Sequence, residues 1–93
     1  MKAPARAARK SVKIHALRSH EDEQFVADQV IAGYIVLVDF KYIDEAIKQR
    51  VKAFLDGTMC GLDGKMIALR DDLLLLLPNG VLEEENMGEY KLA

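Results

Sequence analysis

Asp71-Asp72-Leu73-Leu74-Leu75-Leu76-Leu77-Pro78-Asn79-Gly80 is the stretch that decides the fold. Leucine favours helices by propensity alone, but this leucine run is short and turn-forming residues lie on both sides of it. The pattern therefore predicts a strand. Successive side chains of a strand point to opposite faces of the sheet, so a strand that is apolar at every position needs a cover on both faces.

Two further strands are predicted closer to the N-terminus. Residues 11–17 alternate in polarity, as a half-buried strand does. Residues 34–38 are apolar throughout and rich in β-branched and aromatic side chains. That composition is typical of a central strand covered on both faces.

A helix is predicted after each of these two strands. Ser19 can cap the first helix with its hydroxyl, acidic residues follow it where the helix dipole favours anions, and Gly33 is the expected end. The second helix begins at Asp44 and presents one apolar side. We expect it to end at Asp56-Gly57.

A hairpin is predicted between the second helix and the leucine strand. Asp63-Gly64 separates residues 58–62 from residues 65–69, and an Asp-Gly pair between apolar runs is a strong hairpin signal. Residues directly opposite each other share a face of the sheet. This register predicts a soft face that carries Met59, Met66 and Ala68.

These elements predict a two-layer α+β sandwich within the α/β class. It has a mixed sheet of about five strands with two helices on one face, in the order β-α-β-α-β-β-β. Right-handed crossovers place both helices on the same side, which leaves the other face of the sheet bare. If roughly six to eight apolar side chains stay exposed to water, the domain forgoes on the order of 10 kcal/mol of stabilisation. This is comparable to the free energy of unfolding of a small domain. We therefore expect a symmetric homodimer through that face, with an interface of Met59, Met66, Ala68, Leu74 and Leu76.

The length of 93 residues and the composition predict one globular domain, residues 11–82. A basic arm at residues 1–10 and an acidic tail at residues 83–93 are expected to be solvated. The single cysteine, Cys60, has no partner for an internal disulfide, and the N-terminus has no signal-peptide core. A cytoplasmic protein is the expectation.

The pattern of reactive residues predicts a protein that is not an enzyme. His15, His20 and Cys60 are too scattered for a metal site, so neither a metal nor a cofactor is expected. Residues 61–65 superficially match a phosphate-binding loop, but Met66 stands where that motif needs Ser or Thr. No catalytic residue is predicted.

Several short motifs, in order, resemble the core domain of the cell-division protein family SepF, including its archaeal relatives. They are Tyr34-Ile-Val-Leu-Val-Asp-Phe40, Ala46 with Arg50-Val51, Phe54-Leu55-Asp56-Gly57-Thr58, Gly64, and Asp72 with the apolar run into Pro78. The helix-end signature Phe-Leu-x-Gly-Thr, followed by an apolar strand that ends in Pro, is the most specific part. The resemblance covers about residues 12–81.

The resemblance implies a non-enzymatic adaptor that forms homodimers and higher assemblies and binds the C-terminal tail of the division GTPase FtsZ. It implies Lys65 and Leu74 as tail-binding residues beside the last two strands, and Gly57 as a contact between the helix faces of neighbouring dimers. Family members reach the membrane through a separate amphipathic helix, so membrane contact at the division site is expected only through a segment missing from this chain.

Two other functions are compatible with the pattern. A small dimeric regulatory module could bind a metabolite at its dimer seam, because a two-layer domain with a bare sheet face also suits that use. A nucleic-acid binder could use the basic arm, but the net charge of -2 makes nucleic acid an unlikely partner. Steep salt dependence of DNA binding would indicate the latter.

Overall fold

The computed structural model describes residues 11–80 and 91–92. Its elements are β1 (Ser11–Ala16), a 3-10 turn (His20–Asp22), α1 (Glu23–Ile31), β2 (Ile35–Asp39), α2 (Glu45–Leu62), β3 (Lys65–Arg70), β4 (Leu73–Leu77) and β5 (Lys91–Leu92). The α+β class is confirmed. The predicted basic arm, and the predicted acidic tail apart from β5, lie outside the described residues.

The five strands form one mixed sheet in the order β3-β4-β2-β1-β5. β1 is parallel to β2 and to β5, whereas β4 is antiparallel to both β2 and β3. The leucine strand is therefore an inner strand with a neighbour on each side, as its continuous apolar composition requires. The fifth strand is β5, and not the predicted strand at residues 58–62.

The loop into α1 has the predicted cap. The Ser19 hydroxyl accepts from the backbone N–H of Glu21 at 3.3 Å, and the Asp22 carboxylate accepts from the backbone N–H groups of Arg18 at 2.8 Å and Ser19 at 3.3 Å. The hydrogen bond from Arg18 is the main cause that lowers the pKa of Asp22. Gly33 follows the helix at a φ of 100°, a left-handed conformation that favours glycine.

Helix α2 corrects the sequence prediction. Asp44 caps it as expected, accepting from the backbone N–H of Ile47 at 2.9 Å, but the helix continues through Gly57 and ends at Leu62. The residue that leaves the helix is Asp63, with φ 58° and ψ 36°. Burial of Met59 in the core offsets the roughly 1 kcal/mol that a glycine costs inside a helix. The predicted strand 58–62 and the hairpin at Asp63-Gly64 were both wrong.

The hairpin lies one element later, between β3 and β4. Its turn is Asp71-Asp72, and it pairs Met66 with Leu76 and Ile67 with Leu75, with an irregularity between Ala68 and Arg70. The Asp72 carbonyl accepts from the backbone N–H of Phe40 at 2.8 Å, which ties this turn to the end of β2. The two aspartates are turn residues, as the sequence suggested.

One hydrophobic core lies between the helices and the sheet. The sheet contributes alternate residues of β2 and β4, and α1 and α2 contribute their apolar sides. The fully or nearly fully buried members are Val36, Val38, Leu74 and Leu76 from the sheet and Val26, Val30, Val51, Leu55 and Met59 from the helices. Both helices therefore cover the same face, which confirms that part of the prediction.

Candidate binding surfaces

The face of the sheet opposite the helices carries one apolar row. Ile67 pairs with Leu75, Leu75 with Leu37, and Leu37 with Ile14, so four neighbouring strands each contribute one side chain. Directly paired residues share a face, and the alternate residues of β2 and β4 belong to the core on the other face. Ile14 is 66% exposed and Ile67 is 39% exposed. We call these four residues the open-face row.

The side chains predicted for the dimer interface lie on the other face. Met59 is buried in α2 against the sheet, and Leu74 and Leu76 are buried beneath the helices. Met66 and Ala68 pair with these two leucines and share their face. The interface residues were wrong because a strand was predicted where α2 continues, and because the leucines that face outward are the alternate ones.

A groove of about 500 Å³ lies between α2 and the β3–β4 hairpin. Four residues of α2 form one wall at helical spacing, and the end of β3 with its turn forms the other. Its lining residues are Glu45, Lys48, Gln49, Lys52, Ala68, Arg70 and Asp71. Because β3 is the edge strand of the described sheet, its outer backbone groups are available to an extended segment.

The side chains that line the groove include three cations, Lys48, Lys52 and Arg70, and one long ion pair. The Lys48 ammonium lies 3.9 Å from a Glu45 carboxylate oxygen, and the other oxygen of that carboxylate accepts from the Gln49 amide at 2.7 Å. Among the described residues, neither Lys52 nor Arg70 makes an ion pair. Two cations are therefore available to an anionic ligand.

A small recess of about 10 Å³ adjoins the groove and has an apolar floor. Phe40, Leu73 and Leu74 line it, together with the groove residues Lys52 and Arg70 and their neighbours Ala68 and Asp71. The recess has room for about one water molecule. It places cations beside an apolar floor, which suits a peptide with an apolar side chain next to an acidic one.

The structure brings one of the two predicted tail-binding residues to this site. Leu74 lines the recess, whereas Lys65 begins β3 and pairs with Leu77, five residues before Arg70 and roughly 16 Å away along an extended strand. Sequence analysis missed Lys48, Lys52 and Arg70. The i, i+3, i+4, i+7 spacing of the α2 residues was the available signal for one shared helix face.

The remaining predicted residues lie elsewhere. Gly57 is exposed in the middle of α2, and a Cβ there would meet nothing within 4 Å. The His15 ring packs against Phe25 with 5.1 Å between the ring centroids, and Cys60 is exposed on α2. In the part of the chain that the structure describes, no three acidic, histidine or cysteine side chains are grouped to hold a metal ion.

None of the helices among the described residues has both the length and the apolar character to cross a membrane.

The sequence is similar to those of known proteins of one family. The family model "Cell division protein SepF" matches residues 12–82. SepF of Finegoldia magna is 30% identical over 73 residues, which is 78% of this chain and 45% of that relative, and SepF of Carboxydothermus hydrogenoformans is 32% identical over 74 residues, 80% and 54% of the two chains. This chain thus spans about half the length of these curated relatives.

Two solved structures share the fold at lower sequence identity. The SepF-like protein from Archaeoglobus fulgidus superposes with a TM-score of 0.72 at 19% identity, covering 76% of this chain and 88% of that one. SepF from Methanobrevibacter smithii, solved in complex with FtsZ-CTD, has a TM-score of 0.67 at 16% identity, covering 77% and 94%. Because the family model matches most of this chain, the chain belongs to the SepF family of cell division proteins.

Proposed function

We propose that this domain is a non-enzymatic adaptor in cell division that binds the C-terminal tail of FtsZ in the groove between α2 and β3. The observation that carries the proposal is the recess at Leu74 beside two cations without ion pairs among the described residues. The complex of the Methanobrevibacter smithii relative with FtsZ-CTD supports the choice of ligand.

The groove suits a short extended peptide. Its volume of about 500 Å³ is in the range of pockets that hold small ligands, and the free edge of β3 offers backbone hydrogen bonds along one side. An apolar side chain of the peptide would pack over the mouth of the recess, and acidic groups would lie near Lys52 and Arg70. Few anchors and an open site favour micromolar affinity, about -8 kcal/mol.

Calorimetric titration with a synthetic C-terminal peptide of FtsZ from the same organism tests this function. Arg70→Glu should weaken binding about tenfold or more, because it replaces a cation of the groove with a carboxylate. Lys65→Glu is the matched control, since it makes the same charge change on the same strand outside the groove. A loss of binding in Lys65→Glu alone would favour the site implied by the family resemblance, and no binding by the parent would reject the adaptor function.

The open-face row supports the second part of the proposal, a homodimer through the face of the sheet opposite the helices. Each large apolar side chain contributes about 1.5–3 kcal/mol when it is fully buried, so two copies of the row would make a substantial contact. Ile14→Glu should produce a folded monomer by light scattering. A dimer that persists in Ile14→Glu and in Ile67→Glu would exclude this face.

Two predictions from the sequence remain part of the proposal. Gly57 would contact the helix face of a neighbouring dimer, and Gly57→Lys should then block higher assembly but leave the dimer intact, as sedimentation would show. The domain would act in the cytoplasm at the inner face of the membrane, at the division site, which a fluorescent fusion would locate. The alternative of a metabolite at the dimer seam has less support, because both cavities described above lie on the helix side of the sheet.

A further inference from the structure

Among the described residues, Lys48 is the cation of the groove that has an ion-pair partner, and most of its side chain is buried. Only 14% of that side chain is exposed, whereas its ion-pair partner, Glu45, is 72% exposed. The 3.9 Å separation is at the outer limit of an ion pair, and a pair with one exposed member gives little stabilisation in water. Glu45 therefore holds the Lys48 ammonium only weakly.

Glu45 is held beside Lys48 by its own helix. The Gln49 amide donates to its second carboxylate oxygen at 2.7 Å, and the residues at i, i+3 and i+4 share one side of α2. The cap of α2 is made by Asp44, so the helix start does not depend on the Glu45 carboxylate. Glu45 thus places a negative charge next to Lys48 in a lining that has three cations and one other acid, Asp71.

We propose that Glu45 is an internal competitor for Lys48, and that a carboxylate of the bound peptide replaces it. The inference rests on the proposed function of the groove and adds the chemistry of its ligand, an acidic side chain or the terminal carboxylate of the tail. A carboxylate that enters the groove is attracted by Lys48, Lys52 and Arg70, whereas Glu45 pairs with Lys48 alone. Glu45 thereby lowers the affinity of the groove for acidic peptides.

Glu45→Gln tests the competitor role because it removes the charge and keeps an amide that can hydrogen-bond to Gln49. Fluorescence anisotropy with a labelled FtsZ C-terminal peptide should show binding about threefold tighter than the parent, the size expected for one weak ion pair with an exposed member. Glu21→Gln is the matched control, an exposed acid in the 3-10 turn that does not line the groove. It should leave the affinity unchanged.

The role of Lys48 is tested by a double-variant cycle. The gain in peptide affinity caused by Glu45→Gln should disappear in a Lys48→Gln background, because no ammonium remains for which Glu45 and the peptide compete. A peptide with its acidic side chains changed to amides, and a peptide amidated at its C-terminus, identify the source of the carboxylate. The peptide change that abolishes the gain in affinity caused by Glu45→Gln identifies the carboxylate that contacts Lys48.

The outcomes separate this inference from the function on which it rests. If the parent binds the peptide but Glu45→Gln behaves like Glu21→Gln, the competitor role is overturned and the groove stands. A gain that persists in the Lys48→Gln background also overturns it, since the effect would then be a general change of charge. No binding by the parent overturns both, and calorimetry of the parent alone detects that case.

Discussion

Gly64→Ala is expected to destabilise the domain although the side chain added is a single methyl group. Gly64 lies between α2 and β3, and its backbone N–H donates to the Met59 carbonyl at 2.8 Å. A Cβ at this position would lie 2.6 Å from both the Leu77 carbonyl oxygen and the Met59 terminal methyl. The methionine can change its rotamer, but the Leu77 carbonyl belongs to the backbone of β4, so the sheet has to shift.

The expected magnitude follows from that backbone contact. Forcing extra atoms into a closely packed site costs about 1–3 kcal/mol. For a domain of this size, each 1 kcal/mol lowers the melting temperature by roughly 4–8 °C. We expect Gly64→Ala to melt at least several degrees below the parent, with its helix and strand content unchanged.

Gly57→Ala is the matched control. It makes the same chemical change at a site with open space. A Cβ at Gly57 meets nothing within 4 Å, and the residue lies inside α2. Replacing glycine with alanine in a helix interior should stabilise the domain by about 0.5–1 kcal/mol. The same substitution should therefore have opposite signs at the two glycines.

Urea unfolding followed by circular dichroism measures both variants under identical conditions. Parental stability for Gly64→Ala would show that β4 does not approach the end of α2 as closely as the structure has it. A destabilised Gly57→Ala would mean that the helix ends at Gly57, as the sequence pattern predicted, and would refute the continued helix.

Three further predictions use the same unfolding assay. Asp63→Gly should stabilise the domain by about 0.5–1 kcal/mol, because Asp63 has a left-handed φ of 58°; an unchanged midpoint would argue against that conformation. Met59→Ala should cost about 2–5 kcal/mol, because the side chain is 2% exposed in the core; a loss below 1 kcal/mol would contradict its burial. Asp22→Asn should be less stable than the parent at neutral pH. Since the folded pKa of Asp22 is lowered, this difference should be present above about pH 4 and vanish as the pH falls through the lowered pKa.

The sequence by itself determined the elements whose ends depend on local chemistry. Ser19 caps the 3-10 turn that leads into α1, and Asp44 caps α2, because a side-chain oxygen needs only the nearby backbone N–H groups. Gly33 ends its helix because the left-handed conformation is available to glycine without strain. The leucine run became an inner strand because alternate side chains on both faces are apolar. The crossover rule also correctly placed both helices on one face of the sheet.

Tertiary structure alone decided where α2 ends and which residues share a face. Asp56-Gly57 and Asp63-Gly64 are equally good local stop signals, and burial of Met59 against the sheet selects the second. That choice moved the hairpin turn to Asp71-Asp72 and with it the pairing of β3. The residues predicted for the interface do share one side of the sheet, but it is the side that the helices cover, because packing decides which face of β4 meets α2.

The candidate groove likewise depends on how α2 packs against the sheet. Its cations come from α2 and from the end of β3, and Lys48 and Arg70 are brought to one site only when the helix packs across the sheet beside the edge strand. Local propensity acts over a few residues and contains no information about such a long-range contact. The burial of apolar side chains on one face of α2 supplies it, because burying Val51 and Leu55 leaves the flanking face of the same helix turned toward β3.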